Sequence, residues 1–341
     1  MGEVLPVDGA RRPAWHRRIW SAVSLLLLLA LVEYVVLPKL ALARQSLDRV
    51  SQLNTVWVVA AAVLEAASLV SYSLFTRALL GGGRLPFSWV LRSDLTGYGV
   101  SHVVPGGAAT AGALRFRLLV SGGAQPTNVT ATVTAEAIGS PLALVLLAWL
   151  TSIPALFLRE ATPAYLAMFL VGLIALACGL LAVRGRSTLH RLAEGLLRAI
   201  LRRLPQRVRP WIASVAVRLR ELLADPEVRK AFLIWATLNW VFDAAVLWTF
   251  LAAYGERISP VPLLLAYCAA NLAAVVPLTP GGIAVVEGIA ISTLIGYDVP
   301  GQVAVLAVLS WRLIQFWAPV PLAGLTYLSL RAQSATTRST S

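Results

Sequence analysis

Five ionisable side chains stand inside apolar stretches of this chain: Glu65, Glu136, Asp243, Glu287 and Arg312. Asp94 and His102 stand in a sixth stretch that is broken by a Pro-Gly-Gly run. A charge in hydrocarbon costs roughly 2.5–3.5 kcal/mol on insertion scales, so each needs a partner, a wet cavity or a task. The chemistry open to these types is charge recognition and proton carriage. Arg312 lies in LSWRLIQFWAP and cannot shed its proton. It must be paired with Glu136 or Glu287, or hold a lipid phosphate or carboxylate. Glu287 lies seven residues after Pro280, two turns beyond a break. It can take a headgroup amine or a proton, or satisfy backbone N–H groups freed at the break. Glu65, Glu136 and Asp243 are read as proton or headgroup ligands, or as packed ion pairs. Arg115 and Arg117, in GALRFRLL, either hold phosphates at the cytoplasmic face or simply flank a span. His102 is read as hydrogen-bonded structure near the break, or as a pH sensor. Asn271 and Thr279 are expected to bond unwound backbone.

The elements that must position these groups are helices interrupted by two breaks. Residues 104–112 read VPGGAATAG and residues 277–288 read PLTPGGIAVVEG. Pro105, Gly106 and Gly107, like Pro280, Gly281 and Gly282, are poorly tolerated inside a helix. In lipid each freed N–H and C=O must find a partner other than water, so broken backbone persists where protein or a wet cavity surrounds it. Two breaks, one in each half of the chain, point to a transport site.

Composition fixes the class. The chain has 341 residues, 58% hydrophobic and 13% charged, with a mean hydropathy of +0.76. That profile excludes an ordinary soluble domain and indicates a polytopic membrane protein. The net charge of +13 is read as basic loops beside anionic lipid, not as a nucleic-acid surface. Apolar stretches long enough to span are 19–37, 55–75, 127–150, 164–183, 231–252 and 301–327. The segments 94–113 and 262–296 carry the breaks and are read as re-entrant. The run 19–37 is preceded by Arg11, Arg12, Arg17 and Arg18 and is expected to be a retained span, too long for a signal-peptide core. Residues 184–230 form a basic cytoplasmic segment with leucines at helical spacing, read as an amphipathic surface helix. The expected organisation is a basic N-terminus over 1–18, one membrane domain over 19–330 and a tail over 331–341.

Charge sets the topology. Placing the N-terminal arginines in the cytoplasm puts Arg77, Arg84, Arg92, segment 184–230 and Arg331 on the same side. Lys39, Arg44 and Arg49 are the exceptions. Each half then reads span, span, re-entrant segment, span, in opposite orientations: 19–150 and 164–327 form an inverted-topology repeat. Glu65 and Asp243 lie 40 and 37 residues before Pro105 and Pro280, and Glu136 and Arg312 lie 31 and 32 after them. No Walker motif, histidine cluster or nucleophile–base set is present, so no cofactor, metal or enzymatic reaction is expected. Cys178 and Cys268 are read as packed thiols. High Ala, Arg and Leu usage suggests a bacterial source, and hence the plasma or inner membrane.

The stretch from Thr279, Pro280, Gly281, Gly282 and Ile283 through Val285 and Glu287, then Arg312, Trp317 and Pro319, resembles the transmembrane domain of lysylphosphatidylglycerol synthases and its stand-alone flippase-like relatives. The first half is similar more loosely, through VPGGAATAGALRFRLL and Glu136. It departs from the family at Ala111-Gly112-Ala113, where an acid is usual. The chain ends without an aminoacyltransferase domain, so synthesis of an aminoacyl-lipid is not expected. The resemblance implies movement of a phospholipid, anionic or aminoacylated phosphatidylglycerol among them, or of a lipid-linked precursor. The alternative is a lipid-binding accessory protein for an envelope enzyme.

Overall fold

The computed structural model describes residues 53–81, 85–103, 107–157, 169–170, 173, 217, 224–274 and 280–339. Every element among them is helical. They are α1 (Thr55–Leu79), α2 (Phe87–Val103), α3 (Gly107–Ser121), α4 (Pro126–Phe157), α5 (Pro226–Ala231), α6 (Thr237–Ala253), α7 (Pro260–Ala274), α8 (Val285–Gly296), α9 (Gly301–Arg312) and α10 (Pro319–Ser339). Local signals start several of them. Asn54 caps α1 by accepting from the Val56 N–H at 2.9 Å. Proline fills the first position of α4 and α7, where a missing donor does no harm.

Four continuous helical runs are long and apolar enough to cross a membrane: Thr55–Leu79, Pro126–Pro154, Pro226–Ala253 and Gly301–Gln333. They coincide with four of the six stretches expected to span. The stretch 19–37 lies outside the described residues, as does nearly all of 164–183 and of the basic segment 184–230. The exposed side chains confirm the solvent. Ile138, Leu142 and Val145 on α4, and Leu322, Leu325 and Leu328 on α10, form outward apolar stripes that suit hydrocarbon.

Each break joins two helices that pack on one another. α2 and α3 flank residues 104–106, and α7 and α8 flank the second break. Pro105 and Gly106 lie outside the described residues, and Gly107 begins α3. The second break is visible from Pro280, which opens a single 3-10 turn, Pro280–Gly282. Gly281 and Gly282 adopt φ of 59° and 68°, and Ala284 follows at 66° before α8 starts. Two of these three left-handed residues are glycine, which alone adopts that region without strain.

α1 runs along α6, and the contact is made by small and polar residues. Ser68 donates to the Asn239 carbonyl at 2.9 Å, and the Asn239 amide donates to Ser68 Oγ at 2.8 Å and to its carbonyl at 3.1 Å. Such closed pairs suit an interface without water. A core of Leu144, Leu247, Phe250, Tyr267, Leu294 and Trp311 joins α4, α6, α7, α8 and α9. Cys268 lies in it as a buried free thiol.

A β-carbon added to Gly281 would run into the Phe316 ring, at a φ that side chains already avoid. Gly281→Ala should therefore lose about 2–4 kcal/mol, from the left-handed backbone and the overpacking together. Gly324 on α10 faces open space, so Gly324→Ala should lose nothing. Thermal unfolding of both variants in detergent checks the contrast.

Candidate functional site

The first charged cluster is built around Arg115. α3 carries its side chain across α2, where Gly97 leaves the room that the arginine stem occupies. The guanidinium then meets acids from two other helices. Nη2 lies 2.6 Å and Nε 3.0 Å from Asp94 Oδ1, and Nη1 lies 2.7 Å from Glu136 Oε2. Tyr72 Oη accepts from Nη1 at 3.0 Å, and Thr76 Oγ1 accepts from Nη2 at 3.3 Å. These five bonds match the five N–H groups an arginine has. Arg115 is 7% exposed, so the saturated geometry is what makes its burial affordable.

The second cluster sits at the second break. Arg312 Nε bonds Glu287 Oε1 at 2.6 Å, Nη1 bonds Gln315 Oε1 at 2.9 Å, and Nη2 bonds the Gly281 carbonyl at 3.1 Å. The broken backbone therefore satisfies its freed carbonyl with the arginine. Among the described residues, three bonds leave two N–H groups of Arg312 uncommitted, in contrast to Arg115. Its guanidinium lies 4.3 Å over the Phe316 ring, whose face stacks on His102 at 4.1 Å. The local backbone explains the position of Gln315. Pro319 has no N–H, so the Gln315 carbonyl loses its helical donor. A π turn over Leu313–Trp317 re-pairs the Ala318 N–H with Leu313, and Tyr98 Oη donates to the orphaned carbonyl at 3.2 Å. The Gln315 amide returns a bond to Tyr98 Oη at 2.7 Å.

A third group joins α1 and α6 with α7 and α9. Asp243 on α6 accepts from the Trp311 indole at 2.6 Å and from Tyr267 Oη at 2.7 Å. Glu65 on α1 lies within electrostatic reach of it and is 4% exposed. One oxygen each of Glu65, Glu136 and Glu287 is buried without a hydrogen-bond partner. Among the described residues, five carboxyl groups inside the helical bundle (Glu65, Asp94, Glu136, Asp243, Glu287) meet two guanidinium groups (Arg115, Arg312). The formal excess is three negative charges. At several kcal/mol for each unmatched charge in a dry interior, that excess calls for protons or a cationic ligand.

The sequence candidates thus fall into three linked groups. Arg312 pairs with Glu287 and not with Glu136, which pairs with Arg115. Arg117 is exposed on α3 and takes no part. Asn271 bonds the Tyr267 carbonyl one turn back in its own helix at 3.0 Å, and Thr279 lies outside the described residues. The acid pair Glu65 and Asp243 is brought together across α1 and α6. The residues that the sequence reading missed are neutral: Tyr72, Thr76, Tyr98, Gln315 and Trp311. A signal for them exists in the spacing. Glu65, Ser68, Tyr72 and Thr76 lie at i, i+3, i+7 and i+11 on one face of α1. Asp94, Tyr98 and His102 lie at i, i+4 and i+8 on one face of α2. The face of α2 links the first cluster to the second.

Residues 19–323 match the family described as Lysylphosphatidylglycerol synthase TM region. A UPF0104 membrane protein of Methanothermobacter thermautotrophicus is 29% identical over 115 residues, 34% of this chain and 34% of that protein. The match spans about a third of the length of that relative.

Removing the Arg115 charge strands two buried acids. Arg115→Gln should cost about 3–5 kcal/mol in detergent unfolding, and Tyr72→Phe about 1. The triple variant Asp94→Asn, Arg115→Gln, Glu136→Gln should recover most of that loss, because no net charge is then left unpaired.

Proposed function

We propose a lipid-translocating role for this chain, which belongs to the lysylphosphatidylglycerol synthase TM region family. The cargo is a phospholipid or lipid-linked precursor moved between leaflets. The observation that carries the reading is the asymmetry between the two buried arginines. Arg115 spends every donor on protein acceptors, whereas Arg312 keeps two in hand beside a broken backbone. The uncommitted N–H groups suit a phosphate, which planar guanidinium recognises through two parallel bonds. The partnerless Oε2 of Glu287 suits an ammonium group or a proton. An aminoacylated phosphatidylglycerol offers both charges in one headgroup, and an anionic phosphatidylglycerol offers the first. Passage of a cationic group would also offset the carboxyl excess.

The two halves support an inverted repeat. In the first half the base lies on the helix after the break (Arg115) and the acid on the following long helix (Glu136). In the second half the acid lies on the helix after the break (Glu287) and the base on the following one (Arg312). α8 has 12 residues, a rise of about 18 Å, too short for a hydrocarbon core of about 30 Å. That length favours a re-entrant α7–α8 segment. Glu65 and Asp243, related by the same repeat, carry protons in this reading. No nucleotide-binding motif occurs in the sequence, so energy would come from an ion gradient or a partner, or the exchange is passive. We place the protein in the plasma or inner membrane with cytoplasmic termini.

A second reading is favoured by the closure of the Arg312 pair, whose arginine is only 5% exposed. There the chain is a lipid-binding accessory of an envelope enzyme, and the ion pairs only hold the bundle together. Leaflet exchange of fluorescent phosphatidylglycerol and its lysyl derivative in proteoliposomes separates the two. The transport reading expects fast exchange by the native protein and a drop of about tenfold or more in Glu287→Gln, the loss of one charge-assisted contact. No exchange of either lipid by the folded protein would favour the accessory role or a lipid-linked glycan as cargo.

A further inference from the structure

One cavity lies away from all three charged groups. It has a volume of about 270 Å³ and opens where the end of α1, the start of α2 and the α3–α4 turn meet. Leu80, Leu85 and Val90 form its apolar floor, each at most 8% exposed. Arg77, Gln125 and Asn128 stand on its walls. No carboxylate of the described residues lines it.

The polar groups of this cavity are all without a partner of the usual kind. Arg77 makes no ion pair and no side-chain hydrogen bond among the described residues. Its one contact is the Phe87 ring, 6.0 Å from the guanidinium carbon. The side-chain amides of Gln125 and Asn128 make no hydrogen bond there either. A guanidinium and two amides, nine N–H groups between them, therefore line one space to which no described residue brings a carboxylate. Arg115 and Arg312, in contrast, are paired with acids, and Arg92 bonds Gln333 at 3.0 Å.

Depth identifies the acceptor. From Thr55 to Arg77, α1 rises about 33 Å, slightly more than the hydrocarbon thickness of about 30 Å. The last turn of α1 thus stands at headgroup level. A volume of about 270 Å³ falls just under the range of about 300–1,000 Å³ usual for drug-sized ligands, which fits a headgroup without its acyl chains. The apolar floor suits the glycerol end of those chains.

We infer that this cavity is a resident site for the phosphodiester of an anionic phospholipid, held by Arg77 with Gln125 and Asn128. It is separate from the translocation groups and holds lipid at the edge of the bundle. Arg77 is exposed and its neighbour Thr76 fully buried, so the cation faces lipid while the adjacent residue serves the Arg115 cluster.

The test uses the whole protein in phosphatidylcholine nanodiscs containing phosphatidylglycerol with a photoactivatable group next to its phosphate. Crosslinks should map to residues 77–90 and 122–128. Arg77→Gln should reduce them about tenfold, the loss of one charge-assisted contact, and Arg77→Lys should restore part of the signal. Glu287→Gln should leave them unchanged, so this site and the transport reading fail independently. Equal labelling by a phosphatidylcholine probe, or full labelling of a folded Arg77→Gln, would overturn the proposal. So would displacement by soluble glycerophosphoglycerol at the lipid's own concentration, which would make the ligand a free phosphodiester.

Discussion

Hydrocarbon supplies no hydrogen bonds, and a guanidinium in it cannot be neutralised. Much of this bundle follows from that constraint. Arg312 must find acceptors, and the break at Pro280–Gly282 must find donors for its carbonyls. The bond from Arg312 to the Gly281 carbonyl answers both needs at once. It requires the chain to turn through Gly281 with a positive φ, and it requires Phe316 to lie against a glycine that has no side chain. Pro319 then opens the helix at Gln315, and Tyr98 closes the gap from α2. One charge and one proline thus set a turn, a π segment and a helix–helix contact.

The same logic explains why α1 and α2 are placed where they are. Each carries a polar face, and α2 has a second polar row, Arg92 and Thr96, that bonds Ser329, Gln333 and Thr326 on α10. On α1 that face meets Asp243, Asn239 and Arg115 in turn. On α2 it meets Arg115, Gln315 and Phe316. α1 therefore touches Asp243 and Arg115, and α2 touches Arg115 and the neutral residues Gln315 and Phe316 that surround Arg312. A movement that opened one cluster would load the other through these faces, which is the kind of bistable linkage that alternating access uses. The proposed lipid site at the end of α1 lies outside this linkage, on the face turned to the membrane.

Much of the arrangement was legible in the residues. Charges inside apolar stretches marked Arg312, Glu287, Glu136, Glu65 and Asp243, because intramembrane charge is expensive enough to be selective. The second Pro-Gly-Gly run marked the turn at Pro280–Gly282, since proline and glycine together break a helix. The pairing was not legible. Arg312 had two acids within reach on sequence grounds, and only the packing of α8 against α9 selects Glu287. Arg115 read as a cation at the cytoplasmic face, holding phosphates or flanking a span; α3 turns it inward to Asp94 and Glu136. Tyr72, Tyr98 and Gln315 were missed because neutral side chains carry no insertion cost that would single them out. Their helical spacing from Glu65, Asp94 and Arg312 was the available signal.

The central claim is that the Arg312–Glu287 pair handles the headgroup instead of merely holding the bundle. Neutralising both partners leaves no stranded charge, so the double variant Glu287→Gln, Arg312→Gln is expected to fold. Leaflet exchange of phosphatidylglycerol by that variant in proteoliposomes is the most direct test. A native unfolding temperature with exchange abolished is the result the account predicts. A native unfolding temperature with exchange at the rate of the unaltered protein would contradict it and leave the pair a structural element.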